Sequence, residues 1–222
     1  MRHFIMHMRR AGHVVARRLD CALDASVTLP VLAFVSAILT AAIAVGVPVY
    51  FGSRKPGYSH VRHTVSELGE AGSPVGRSVS FIGFLSTGIA VWLFLLVTAR
   101  ALPDGATEPL YMLSLVGAGY VGGAIFRCDP GAPPVGSWQN NLHNIFGGLE
   151  YIGAAGAFLA LKLSGFWYPL SEFMAYAGML VLVCLWGISF PHPFRGLIQR
   201  VAETTIFLGI VLMGWWAYRA SV

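Results

Sequence analysis

The side chains able to hold a metal, move a proton or attack a carbonyl fall into three stretches of this sequence. The first carries His60, His63, Ser66, Glu67 and Glu70. The second carries Arg127, Cys128 and Asp129, followed by Asn140, Asn141 and His143. The third carries His192, Arg195, Gln199, Arg200 and Glu203. Taken together, His63, Asp129, His143 and His192 offer the nitrogen and oxygen donors that zinc or another divalent metal prefers. A metal there would lower the pKa of a bound water. Glu67 or Glu203 would then take the proton, and Arg195 and Arg127 would hold an anionic head group. No compact His-Glu-x-x-His motif supports the metal. Ser66, beside Glu67, could be a nucleophile or a polariser, although such a pair on a surface helix is usually only polar. His143 and His192 could also ligate a haem.

Each residue also has a plainer use. Asp129 sits in Arg127-Cys128-Asp129-Pro130-Gly131, where turn chemistry is enough to explain it. Asn140 or Asn141 could cap the helix that follows. Arg195, Gln199 and Glu203 share a helical face at steps of four, which suits an interfacial ion pair as well as a binding site. Glu150 stands apart. It lies two helical turns beyond His143, inside an apolar run, where an ionisable side chain must find a partner. Tyr120, Ser114 or water are the expected partners, and Glu150 counts among the substrate-binding candidates.

The elements that must bring these residues together are membrane spans. The chain has 222 residues, 56% hydrophobic and 11% charged, and mean hydropathy is +0.67. A soluble domain carries roughly 25% charged residues. Six runs approach the length of about 20 residues that crosses the hydrocarbon as a helix. They lie near 27–51, 78–102, 109–126, 142–163, 169–190 and 202–218. The expected fold is therefore all-α, a six-helix membrane bundle whose backbone satisfies its own hydrogen bonds. Residues 1–26 form a basic leader, expected as an interfacial helix. Residues 27–222 form one membrane domain.

A short amphipathic helix from His60 to Leu68, capped by Ser59, is expected in the first loop. It would place Val61, Val65 and Leu68 on one face and His60, His63, Glu67 and Glu70 on the other. The fourth loop, Ser164-Gly165-Phe166-Trp167-Tyr168, reads as an aromatic anchor at the membrane interface.

Net charge is +5, but its distribution argues against nucleic acid. Arg2, Arg9, Arg10, Arg17 and Arg18 precede the first span, as the positive-inside rule and anionic lipid both favour. That puts both termini in the cytoplasm of a multi-pass cell-membrane protein. The first, third and fifth loops, which carry nearly all the candidate chemistry, then share the outer face. The leader is long for a cleaved signal peptide and lacks a clear cleavage site. Three cysteines, Cys21, Cys128 and Cys184, give no internal disulfide framework.

The order Tyr58-Ser59-His60, Ser66-Glu67-Leu68-Gly69, Arg127-Cys128-Asp129-Pro130-Gly131, His143, then His192 with Arg195-Gly196 and Gln199-Arg200 resembles a prokaryotic membrane family, domain of unknown function 998. The resemblance covers most of the chain after about Val45. It implies a multi-span helical fold and brings no established activity. More distantly, the Ser, Asp and His side chains at one membrane face look like the ceramidase and adiponectin-receptor hydrolases. Those use seven spans and a paired His-x-x-x-His on the last one, where this chain has only His192.

Two functions fit. One is a membrane-embedded, metal-dependent hydrolase of a lipid or lipid-linked substrate. The other is a non-catalytic binder or transporter of a lipid or small molecule, or a haem protein, using the same polar cluster.

Overall fold

The computed structural model describes residues 28–221. The expected leader helix lies outside the described residues. Within them every regular element is helical and no strand occurs. Helix α1 is Thr28–Gly52. Helix α2 is the short Val65–Leu68. Helix α3 runs Gly76–Ala101 and includes a seven-residue π stretch, Val79–Leu85. A 3₁₀ helix, Glu108–Leu113, leads into α4, Ser114–Ile125. Helix α5 is Trp138–Ala160, α6 is Leu170–Ile188 and α7 is Arg195–Arg219.

Five of these helices (α1, α3, α5, α6 and α7) are long and apolar enough to cross a membrane. Their outer faces carry Leu39, Val49, Phe81, Leu93, Val183 and Trp186, all more than half exposed. Such continuous apolar exposure has no place in water and suits a lipid solvent. The protein is a multi-pass membrane protein. The third expected span differs from the sequence reading. Its α-helix has 12 residues, because the chain opens the segment as a tighter 3₁₀ helix behind Pro109.

Successive helices pack against each other: α3 on α4, α4 on α5, α5 on α6 and α6 on α7. Helix α1 meets α7 where Gly214 faces Ala37. Small residues set these distances. A Cβ on Gly119 of α4 would stand 2.6 Å from the Glu150 Cβ on α5. Only glycine permits that approach, and it brings the Glu150 backbone against α4.

The first-loop helix is shorter than expected and its cap differs. Thr64, not Ser59, caps it, and Thr64 and Glu67 form a reciprocal capping box. The expected two-faced pattern also fails. Glu67 is buried with Val65 and Leu68, whereas Val61 is 42% exposed. The fourth loop is no interface anchor at Trp167. That side chain is fully buried and its Nε1 donates to the Ala106 carbonyl at 2.9 Å, plugging the far end of the bundle.

Candidate functional site

The candidate residues gather at the end of the bundle where α1, α4 and α6 finish and α3, α5 and α7 begin. The chain between α1 and α3 is folded inward over this end. Arg200 of α7 holds it. Its guanidinium donates to His60 Nδ1 at 3.1 Å, to the His63 carbonyl at 3.1 Å and to the Tyr58 hydroxyl at 2.5 Å. The neighbouring residue, Gln199, accepts the Val65 N–H at its Oε1 at 2.7 Å, and the Leu197 N–H donates to the Val61 carbonyl. Gly196 makes room, since a Cβ there would meet the His60 carbonyl at 2.8 Å. On the other side Arg127 donates to the carbonyls of Gly69 and Glu70. Lys55 pairs with Glu70 at 2.6 Å, and Glu70 Oε2 accepts the Gly131 N–H. The first and third loops are thus one stitched unit.

The purpose of that stitching is visible at Ser66. Its carbonyl accepts from the Cys128 thiol at 3.3 Å. Its hydroxyl meets His143 Nε2 at 2.9 Å. The other ring nitrogen, Nδ1, lies 2.8 Å from the Phe126 carbonyl. A carbonyl can only accept, so Nδ1 carries the proton and Nε2 is left to accept from the serine. This is the tautomer a general base needs. The histidine is buried on α5, while Ser66 is only half-buried.

Ser66 and His143 line a cavity of about 200 Å³ with Phe84, Asn144, Glu150, Tyr151, Arg195 and Glu203. That is room for a head group or a handful of waters, at roughly 30 Å³ per water. Phe84 enters from the π stretch of α3, a distortion frequent at functional sites. Arg195 lies along the wall. Its Nε and Nη2 donate to the carbonyls of Ile188 and Ala132 at 3.1 and 3.0 Å, and no acid pairs with it among the described residues.

Deeper in, Glu203 accepts from the Tyr120 hydroxyl, from the Tyr151 hydroxyl at 3.1 Å and from Gln199 Nε2 at 3.4 Å. Glu150 stands against Glu203. It is 7% exposed, and its Oε1 is buried without a hydrogen-bond partner. Neither of the expected side-chain partners, Tyr120 or Ser114, bonds to Glu150. The Tyr120 hydroxyl serves Glu203, and Ser114 is exposed on α4.

Of the ten residues expected from sequence to act, Ser66, His143, Glu150, Arg195 and Glu203 share this cavity. The other five do not line it. Glu67, expected as a base, is committed to its cap: Oε1 accepts the Thr64 N–H at 2.8 Å and the Thr64 hydroxyl at 3.1 Å. Arg127, expected to hold substrate, holds loop backbone. Asp129 accepts from the N–H and hydroxyl of Ser137, each at 2.7 Å. His63 Nδ1 accepts the Ser59 N–H at 2.9 Å. His192 lies near the Gly187 carbonyl and accepts the Phe194 N–H.

The four expected metal ligands therefore point to separate partners. Among the described residues no three His, Cys, Asp or Glu side chains converge to hold a metal. A haem between His143 and His192 fits no better, because the ring nitrogens of both histidines are engaged with protein groups. Tyr151 was not singled out by sequence, since a tyrosine within a span reads as packing. Its adjacency to Glu150 was the available signal.

Titration in the loops follows the same geometry. Burial, reinforced by Glu70 and Glu67, pushes the Cys128 thiol up to about 12. Burial raises Tyr58 despite the neighbouring Arg200. Burial, then the Arg200 charge, lowers His60. The Ser137 N–H and hydroxyl hold Asp129 below the usual carboxylate range.

No curated protein and no solved structure matches the chain. A family model matches residues 38–216, the part that contains the whole cavity, and by that match the chain belongs to the family described as "Protein of unknown function (DUF998)".

Proposed function

We propose that this protein is a membrane-embedded hydrolase of a lipid or lipid-linked ester, with Ser66 as nucleophile and His143 as general base. The observation that carries the reading is the 2.9 Å contact between Ser66 Oγ and His143 Nε2, with Nδ1 fixed by the Phe126 carbonyl. In the reaction Ser66 Oγ attacks the acyl carbonyl and its proton passes to His143 Nε2. The imidazolium returns that proton to the leaving alkoxide, and the acyl group stays on Ser66. Water then attacks the acyl-enzyme, gives its proton to Nε2, and the carboxylic acid leaves as Ser66 regains its hydrogen. The orienting group is a carbonyl rather than a carboxylate, so stabilisation of the imidazolium is weaker than in an Asp-supported pair. Arg195, paired with no acid among the described residues, serves an anionic head group at the cavity wall.

The membrane reading extends in the same way. The 3₁₀ segment of six residues at about 2.0 Å each, with twelve α-helical residues at about 1.5 Å each, reaches about 30 Å. That is the thickness of the hydrocarbon core. It supports six crossings of the cell membrane; with that count, the five arginines before the first span favour both termini in the cytoplasm and the Ser66 cavity at the outer face.

The test is turnover. The purified protein in lipid nanodiscs is offered phospholipid, lysophospholipid and acylated-glycerol esters, and released fatty acid is measured. Release by the wild type that falls at least about a thousandfold in Ser66→Ala supports the reading, because loss of a nucleophile leaves only residual catalysis. Equal release by both proteins, or none by the wild type across the panel, would favour a non-catalytic lipid binder.

A further inference from the structure

The floor of the cavity has a chemistry that the Ser66 reaction does not use. Glu203 accepts from three neutral donors, shares a hydrogen bond with Glu150, and has no cation beside it among the described residues. Glu150, beside it, has a buried oxygen with no donor at all. The only cationic side chain among the lining residues is Arg195, and both of its observed bonds go to backbone carbonyls of the α6 end and the third loop. An acidic pair at this depth is costly unless something positive or donor-rich reaches it. The cavity is the open approach to it. Its deep walls are aromatic: Phe84, Tyr120 and Tyr151 all line it, with the Phe84 and Tyr120 rings 6.1 Å apart. Aromatic faces beside carboxylates are the surroundings that bind an organic ammonium.

We propose that Glu150 and Glu203 form a subsite for a primary ammonium group of the ligand. On the hydrolase reading, on which this rests, the substrate class is an amine-bearing ester. An ammonium supplies N–H donors to the orphaned Glu150 oxygen and a charge to the pair. Glu150 follows His143 by seven residues on α5, so their Cα atoms differ in height by about 10 Å at 1.5 Å per residue. The amine and the scissile carbonyl of the substrate are therefore separated by a spacer, not adjacent. Gly147 and Gly148, which line the cavity between them, leave that spacer room: a Cβ on either would meet nothing within 4 Å.

Binding is tested without turnover. Wild-type protein in nanodiscs is titrated calorimetrically with octylamine and, separately, with octanol, which has the same chain without the charge. Octylamine is expected to bind saturably and at least about tenfold more tightly than octanol, as a charge-assisted hydrogen bond implies. Glu150→Gln, its fold checked by thermal melting, is expected to lose that advantage. Equal affinity for the two probes, or unchanged preference in a folded Glu150→Gln, would overturn the proposal and leave the floor to water. Displacement of octylamine by an equal concentration of sodium chloride but not of an impermeant organic salt would also overturn it, in favour of a metal cation. Because no hydrolysis is read, a protein inert at Ser66 could still pass this test, and an active one could fail it.

Discussion

Ser66 and His143 are 77 positions apart in the chain and 2.9 Å apart in the fold. One sits on a four-residue helix of a loop, the other in the first turns of a membrane helix. The loop is held to the bundle by Gln199, which lines the cavity, and by Arg200, Arg127 and Lys55, which do not, so the contact depends largely on side chains outside the cavity.

Arg200 is the first test of that dependence. It donates to Tyr58, His60, His63 and Gly196. Arg200→Ala leaves those partly buried acceptors unmatched, and we expect a loss of about 2–3 kcal/mol. The loss should appear as a lower melting temperature and faster proteolysis between α1 and α3. An unchanged melting temperature and proteolysis pattern would show that other bonds suffice to hold the loop.

His60 makes the same clamp sensitive to pH. Arg200 donates to His60 Nδ1, so the neutral ring is the folded form, and its pKa lies below the ordinary value near 6.5. As pH falls, the unfolded chain takes up the proton first. This contribution to stability is complete above about 6.5 and is lost as pH falls from there through the folded-state pKa. Thermal melts from pH 7.5 to 5.5 should decline in the wild type and flatten in His60→Gln, whose amide oxygen can still accept. Parallel declines in both would assign the effect to another group.

Glu67 separates a cap from a base. Its carboxylate serves Thr64, and an amide oxygen can do the same. Glu67→Gln should keep activity within about twofold, whereas Glu67→Ala should cost about 1 kcal/mol of stability as a lost cap does. A large fall in turnover with unchanged stability in Glu67→Gln would restore Glu67 to the chemistry.

Cys128 should be inert. Its thiol is fully buried, donates to the Ser66 carbonyl and titrates near 12. With Cys21 and Cys184 replaced by alanine, N-ethylmaleimide at pH 8 should leave the folded protein unlabelled and label it after denaturation. Rapid labelling in the folded state would mean that the first and third loops separate.

Five of the six expected spans are legible in the sequence, because an apolar run of membrane length has one main structural use. The sequence placed Glu150 in the bundle interior for the same reason. It also named Ser66, His143, Arg195 and Glu203, but not the bond that joins the first two. That bond depends on how a loop folds back, and loop stitching is set by Arg200 and Arg127, whose charge reads equally well as substrate binding or lipid contact. Glu67 reads as a base from sequence because a capping box and a catalytic base use the same residue, and only its bonds to the buried Thr64 reveal the cap. The third expected span differs in form, because Pro109 reads as a helix start without revealing the 3₁₀ helix that contains it.

The most direct measurement of the central claim is covalent. A long-chain alkyl fluorophosphonate, which phosphonylates serines activated by a neighbouring base and expels fluoride, is added to the protein in nanodiscs and the adduct is mapped by peptide mass spectrometry. The account predicts one adduct, on Ser66, absent in Ser66→Ala and slowed at least about a hundredfold in His143→Ala, the scale of general-base assistance. No adduct on Ser66, or an adduct formed equally fast without the His143 imidazole, would contradict it.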